Sequence, residues 1–201
     1  MGEILNLKEL EFSPDGHVYR LNGMVIPSVS KVMEPVSMSE YGVIDPMVLS
    51  RAADRGTAVH KAIENYNKYG IMDIDPMLSG YTDAYISWSE KTCPDIIANE
   101  MKFYHKLMRY AGTADLIARI NGEMWLIDFK TSYKAVDKNY RVQLEAYRQG
   151  LSTHSLEIDR KAVLHLAKDG SYTLIEYPLK DSEAWTIFGA CKSIYDYNNK
   201  F

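Results

Sequence analysis

The dipeptide Asn121-Gly122 constrains this chain more than any other feature. It stands between two runs of strand-like residues, 111–120 and 123–131, and an Asn-Gly pair in that setting specifies a two-residue hairpin turn. Such a turn sets Ile120 opposite Glu123, and counting back pair by pair sets Asp115 directly opposite Asp128. Directly opposite residues share a face with Cβ atoms roughly 5 Å apart, and Lys130, two residues beyond Asp128, points to that face too. Two carboxylates so close repel each other, so the arrangement implies a cation between them. Slipping the turn by one residue would send the two aspartates to opposite faces. Held in register, they read as a divalent-metal site with a lysine beside it, which is a hydrolytic arrangement.

The other face of the hairpin carries Ala114, Leu116, Ala118 and Ile120 with Trp125, Ile127 and Phe129, a nearly continuous apolar surface. Ile117, Met124 and Leu126 add apolar side chains to the aspartate face. A hairpin apolar on both sides belongs inside a sheet covered by two layers.

Around this hairpin the order of elements is legible. Residues 7–27 read as a small β element punctuated by Pro14-Asp15-Gly16 and Asn22-Gly23, with Ser28 or Ser30 capping a short helix through Met33. Residues 34–45, with Pro35, two serines and Gly42, read as a connection. Pro46 opens a long helix that Gly70 stops near Tyr69, and a second helix spans residues 76–91. Residues 96–104 form a strand before the hairpin. A helix over residues 139–151, which Asp137 could start, follows it, and strands over 162–167 and 172–177 form another hairpin. A last helix begins at Asp181-Ser182-Glu183. The expectation is an α/β chain with a central mixed sheet flanked by helices. Residues 1–45 form an N-terminal β appendage and connection, residues 46–201 the core, and together they make one compact domain.

The 201 residues suffice for a substantial core. No apolar run approaches the roughly 20 residues needed to cross a bilayer, and no secretory leader is visible at the N-terminus, so a cytoplasmic setting without membrane attachment is expected. Cys93 and Cys191 match no zinc or iron–sulfur spacing. A net charge of −4 argues against a protein that coats nucleic acid. It leaves room for an enzyme whose acidic ligands lower the total while local basic residues hold a phosphate backbone.

Taken singly, the remaining polar residues are ordinary. Acid-x-Lys occurs three times, at Glu100, Asp128 and Asp159. Only Asp128 has both a buried-strand flank and an aspartate across the hairpin. Asp159 reads as a solvated turn, and Glu100, on the preceding strand, as either a site carboxylate or a surface salt bridge. His60 on the long helix, with Glu64 one turn on, would alone be structural, as would Gln143 and Tyr147 one turn apart on the helix after the hairpin.

Their order is more specific than any one of them. Gly56-xxx-His60, Gly112-xx-Asp115, Asp128-x-Lys130 and Gln143-xxx-Tyr147 together resemble the PD-(D/E)xK nuclease superfamily, most closely its RecB-type exonuclease branch, which includes phage-encoded exonuclease-like proteins. The opening Tyr19-Arg20-Leu21-Asn22-Gly23 and Ile26-Pro27-Ser28-Val29-Ser30 also look like phage members. The resemblance implies a restriction-endonuclease-like core and a metal-dependent deoxyribonuclease acting on DNA ends or single strands, in recombination, replication or repair with a protein partner. It implies His60, Asp115, Asp128 and the Phe129 carbonyl as ligands of Mg²⁺ or Mn²⁺, and Lys130 as the group that orients the attacking water or stabilises charge on the phosphate; Glu100, from its place on the preceding strand, is a further catalytic candidate. Gln143 and Tyr147 would support the site and the DNA strand. Arg55, Arg141 and Lys134 flank the motifs as phosphate contacts. Members with an iron–sulfur cluster need four cysteines, so no cluster is expected. An endonuclease of junction-resolvase or restriction type, and a silent DNA-binding module on the same fold, remain alternatives at this point.

Overall fold

A computed structural model describes residue 5 and residues 7–41, 45–132 and 138–199. Its centre is a five-stranded sheet in the order β4-β5-β6-β7-β8, made of β4 (Asp95–Tyr104), β5 (Ala111–Ile120), β6 (Glu123–Lys130), β7 (Arg160–Leu166) and β8 (Tyr172–Tyr177). Neighbours run antiparallel except β6 and β7, which are parallel. A parallel step cannot be closed by a tight turn, and α5 (Lys138–Ser152) lies in that connection. The sheet is therefore mixed.

The β5–β6 turn has positive φ at both Asn121 (51°) and Gly122 (85°), the signature of the turn type whose twist suits a two-residue hairpin. The register follows from it: Ile120 pairs with Glu123, and the ladder runs back to Leu116 opposite Ile127. Backbone pairing stops there, one pair short of the two aspartates.

Helices cover both faces. On one side α3 (Pro46–Tyr69) and α4 (Ser79–Thr92) pack Val59, Ile63, Tyr81, Tyr85 and Trp88 against Leu116, Ala118, Trp125, Ile127 and Phe129. On the other, α5 and α6 (Ser182–Asn198) pack Leu144, Ala146, Phe188 and Cys191 against Met101, Phe103, Ile117 and Leu126. The short α1 (Val29–Val32), capped by Ser28, adds Val29 and Val32 to this second core. Ahead of it, β1 (Leu10–Ser13), β2 (Val18–Leu21) and β3 (Met24–Ile26) form a separate antiparallel sheet. Its Tyr19, Leu21 and Ile26 pack on Tyr104 and Ala111 where β4 and β5 meet.

Three expectations need correction. The segment read as a connection holds a helix, α2 (Glu34–Tyr41). Pro35 misled because it looks like a breaker, yet in a first turn its missing N–H would be unsatisfied anyway. The helix expected from residue 76 opens with a 3₁₀ turn over Pro76–Leu78 before α4 begins. Ala114, expected among the neighbours of Leu116, joins the α5-side core with Ile117 instead. The change falls where Glu100, whose φ is +48°, stands across the ladder between the pairs Met101–Ala114 and Asn99–Leu116. A left-handed residue inside a strand resets side-chain alternation. On one side of it Asn99 hydrogen-bonds Asn67 of α3, and on the other Met101 joins the α5-side core. Asp137, expected to start α5, lies outside the described residues.

Phe103 is wedged between two glycines. A Cβ on Gly112 would meet its ring at 2.7 Å and Tyr147 at 3.1 Å, and a Cβ on Gly150 would collide with the ring from the other side. Alanine at a helical glycine gains about 1 kcal/mol of helix propensity, whereas overpacking a core costs about 1–3 kcal/mol, and here the ring has no free side to move into. Gly150→Ala is therefore expected to lower the thermal midpoint by several degrees. Gly189→Ala, where nothing lies near an added Cβ, should leave it level or slightly raised. Differential scanning calorimetry of the two variants checks the pair.

Candidate active site

His60, Glu100, Asp115, Asp128, Lys130, Gln143 and Tyr147 converge at the end of the hairpin where the ladder stops. Asp115 and Asp128 leave the paired region together, both buried. In place of a ladder partner, the Phe129 N–H donates to Asp115 Oδ2 at 2.7 Å. The carboxylate thus substitutes for a backbone carbonyl, and the strands open at this point.

His60 reaches the same spot from α3. It follows Val59 and precedes Ile63, both buried against the sheet, so it sits at the rim of the helix's apolar stripe. Its ring meets Phe129 edge-on at 5.6 Å, and Nε2 lies 3.2 Å from the Phe129 carbonyl. Nδ1 faces two acids, Asp115 Oδ1 and Glu100 Oε1, each at 3.6 Å. One ligand atom from each of His60, Glu100 and Asp115 fits within a 4.8 Å span. Glu100, opposite Asp115 where the ladder skips a pair, is turned toward the histidine by its left-handed backbone, a conformation that is rare for such a residue and is found at functional sites.

Asp128 stands in a second, adjoining network. Lys130 Nζ lies 2.7 Å from Asp128 Oδ2 and donates to Gln143 Oε1 at 3.1 Å. Gln143 Nε2 donates in turn to Asp128 Oδ1 at 3.1 Å and to the Tyr147 hydroxyl at 3.0 Å. Gln143 and Tyr147 lie one turn apart on α5, so this helix reads the end of β6 with two consecutive rungs. Lys130 also lies 5.1 Å from the centre of the Tyr140 ring.

Protonation reflects the crowding. Burial, and then the charges of Asp128 and Glu100, push the Asp115 carboxyl up to about 7, against the pull of His60. Burial alone would depress His60, but Asp115, followed by Glu100, outweighs it and raises the imidazole to about 9. Burial likewise opposes the Lys130 charge, yet Asp128 and Asp115 raise its pKa above the ordinary lysine value. Burial also raises the Tyr147 hydroxyl well above the ordinary phenol value, so it is neutral at physiological pH. A buried aspartate whose carboxyl is raised to about 7, beside a histidine that holds its proton, marks a place short of positive charge.

That donor set suits a divalent cation. One imidazole nitrogen, carboxylate oxygens and a main-chain carbonyl are hard-to-borderline ligands of the kind that hold Mg²⁺ or Mn²⁺. The fit differs from the sequence expectation in one respect: the tight cluster contains Glu100, while Asp128 engages Lys130 and Gln143.

Two cavities flank His60. The larger, of about 750 Å³, is lined by Glu100, Asp115, Thr113, Thr57 and Tyr147, and by residues of the N-terminal sheet. A smaller one, of about 330 Å³, lies against Arg55, Gly56, Lys130, Thr131 and Ser132. Arg55 thus lies beside the site, with Nε 3.4 Å from Thr131 Oγ1. Arg141 does not line either cavity. Asp181 holds it in a two-pronged pair at 2.8 and 2.7 Å, and Glu183 approaches at 2.9 Å. Lys134 lies outside the described residues. The sequence reading missed Tyr19, whose hydroxyl is 2.7 Å from Thr113 Oγ1, and with it the whole contribution of the N-terminal sheet. Strand alternation in residues 10–21 was the available signal for which side chains face inward.

Among the described residues no helix is long and apolar enough to cross a membrane. No curated protein matches the chain. Among solved structures, a putative exonuclease from Eubacterium rectale is 11% identical with a TM-score of 0.48, over 73% of this chain and 65% of that one. An alkaline exonuclease from Laribacter hongkongensis is 13% identical with a TM-score of 0.42, over 73% of this chain and 87% of that one. The model of the PD-(D/E)XK nuclease superfamily matches residues 68–187, a span that holds the hairpin, the crossover helix and the parallel step. The chain belongs to the PD-(D/E)XK nuclease superfamily.

Proposed function

We propose that this protein is a metal-dependent deoxyribonuclease that hydrolyses phosphodiester bonds at DNA ends or in single strands. The observation that carries the reading is the pairing of two networks at one strand opening: a His60–Glu100–Asp115 cluster fitted to a cation, and a lysine fixed beside it by Asp128 and Gln143. Binding alone would not require acids packed against each other at such electrostatic cost. The larger cavity favours an unpaired strand, because about 750 Å³ has room for a nucleotide or two and not for an intact duplex.

His60, Glu100, Asp115 and the Phe129 carbonyl would hold Mg²⁺ or Mn²⁺, with Asp128 at the edge of the set. A cation bound there supplies Lewis acidity toward the phosphate and lowers the pKa of a water. The chain's own groups do the rest. Lys130, with its pKa raised, stays an ammonium across the neutral range. It therefore serves as a fixed positive charge and proton donor toward phosphate oxygens rather than as a general base. Asp128 and Gln143 orient it. Tyr147 stays neutral and anchors Gln143 by accepting its amide proton. Arg55, at the far cavity, offers a contact for the neighbouring phosphate.

The test is cleavage of end-labelled linear DNA, with either the 5′ or the 3′ end blocked, alongside circular single-stranded DNA, in Mg²⁺, Mn²⁺ or EDTA. Linear substrates should be degraded from an open end, the circle should survive, and EDTA should stop the reaction. Cutting of the circle would favour the endonuclease, and binding without cleavage in any metal would favour a silent module. Lys130→Ala and Asp128→Ala should each lower the rate by at least about 100-fold, the order seen when a transition-state charge stabiliser is removed, with the circular dichroism spectrum unchanged.

Metal binding should also show in stability, with a definite sign in pH. The pKa values of Asp115 and His60 are both raised in the folded chain. Stability tied to the protonated His60 is present below its unfolded value and lost as pH rises toward about 9. The cost of ionising Asp115 likewise grows as pH rises from the unfolded carboxylate value toward about 7. A cation competes with these protons. The rise in thermal midpoint produced by a fixed Mg²⁺ concentration should therefore increase from pH 6 to pH 9, and His60→Ala should flatten that increase.

A further inference from the structure

The larger cavity has a wall that takes no part in the chemistry above. Phe12 of β1, Tyr19 of β2 and His17 between them line it, together with Lys102 of β4. The three rings form one cluster: Phe12 lies 4.8 Å from Tyr19 and 5.1 Å from His17, and His17 lies 5.3 Å from Tyr19. Tyr19 is buried and tied to Thr113, two residues from Asp115. The cluster is thereby held in a fixed relation to the metal-fitted acids. Phe12 is only half-buried and His17 is exposed. His17 also has a left-handed backbone, φ +51°, a conformation that side chains other than glycine rarely adopt and that is met at ligand clamps.

Lys102 supplies the charge. Its ammonium lies 5.2 Å from the Phe12 ring centre and 3.4 Å from the Glu100 carbonyl oxygen, and among the described residues it makes no carboxylate pair. Lys61, the other lysine lining this cavity, is bound to Glu64 at 2.8 Å. A ring surface beside an uncommitted ammonium, in a cleft that otherwise presents Glu64, Glu100 and Asp115, complements a ligand with a flat face and a phosphate.

We propose that Phe12, His17 and Lys102 form a subsite for one unpaired nucleotide next to the scissile phosphate, the rings against its base and the ammonium against its phosphate. A base inside a duplex has both faces covered by its neighbours, so only an unstacked one can use the rings. Such stacking is tolerant of sequence, because every base has a π-face. The subsite rests on the nuclease reading for its register with the cleavage point, and it makes the N-terminal sheet the selector of single-stranded ends.

Binding of short fluorescent single-stranded oligonucleotides tests it, using the full chain carrying Lys130→Ala in Mg²⁺ so that cleavage does not intervene. An abasic site is moved along the oligonucleotide. At one position, loss of the base should weaken binding roughly 5-fold or more, the lower end of what one stacked base contributes. Phe12→Leu, which keeps apolar packing, and His17→Asn, which tolerates the left-handed backbone, should each weaken binding of the intact strand and remove that penalty. Lys102→Gln should lessen the salt dependence by about one phosphate contact. In the active chain, the same three substitutions should raise KM more than they lower kcat. Wild-type affinity in the variants, or an abasic penalty unchanged by them, would overturn the proposal. Because the binding readout needs no cleavage, an inactive parent chain counts against the nuclease reading alone. A cleaving parent with an unchanged penalty counts against the subsite alone.

Discussion

The structure around the hairpin is organised by a repulsion. Three carboxylates, Asp115, Asp128 and Glu100, are brought to one place with two side-chain cations, His60 and Lys130, among them. Solvent does little to screen Asp115 and Asp128, which are buried, while the other three are partly exposed at the mouth of the cleft. The fold lowers the cost in three local ways. A backbone N–H is donated to Asp115, Asp128 is gripped by a lysine and a glutamine amide, and protons are retained on the Asp115–His60 pair at neutral pH. The last is the reversible one. A site that holds protons it would ordinarily shed is a site whose protons a divalent cation can displace, which ties the packing of β5 and β6 to the chemistry of the cleft.

Much of this was legible because one turn fixes one register. Asn121 and Gly122 both take positive φ, so the pairing of Ile120 with Glu123 settles the ladder back to Leu116 and Ile127, and no long-range information is needed to bring the strand ends that carry Asp115 and Asp128 to one place. The long helix was equally plain, with Pro46 at its start and Gly70 at its end; the structure adds the Asp45 cap and the left-handed backbone of Gly70. What stayed hidden depended on conformations the residue types disfavour, or on contacts remote in sequence. Nothing in a glutamate announces φ +48°, yet Glu100 takes it at the point where its carboxylate faces His60 and where side-chain alternation along β4 is reset between Asn99 and Met101. Arg141 shows the opposite failure: its charge was visible, but the prior claim of Asp181 and Glu183 on it was not. Pro35 was given a breaker's role in the sequence although it sits where a helix tolerates it.

The mixed topology explains why α5 can serve both fold and site. A parallel step from β6 to β7 requires a crossover, and the helix that makes it must pass over the sheet. Its buried face supplies Leu144, Ala146 and Leu151 to the core. Gln143 and Tyr147, on the same helix, reach back to Asp128. Phe103 locks the arrangement by filling the space between Gly112 on β5 and Gly150 on α5. The lysine is thereby set by helix packing as much as by its own strand.

The Tyr19–Thr113 hydrogen bond joins residues 94 positions apart and, with Tyr104 donating to Glu9 and the Ala111 N–H to the Pro27 carbonyl, seams the N-terminal segment to the core. On one side lie the acids, the histidine and the lysine, whose arrangement leaves little latitude. On the other lies a small sheet closed by short turns, whose rim meets the same cleft. Substitutions in residues 12–17, the end of β1 and the turn that follows it, would therefore reshape the rim of the cleft and leave the buried acids as they are.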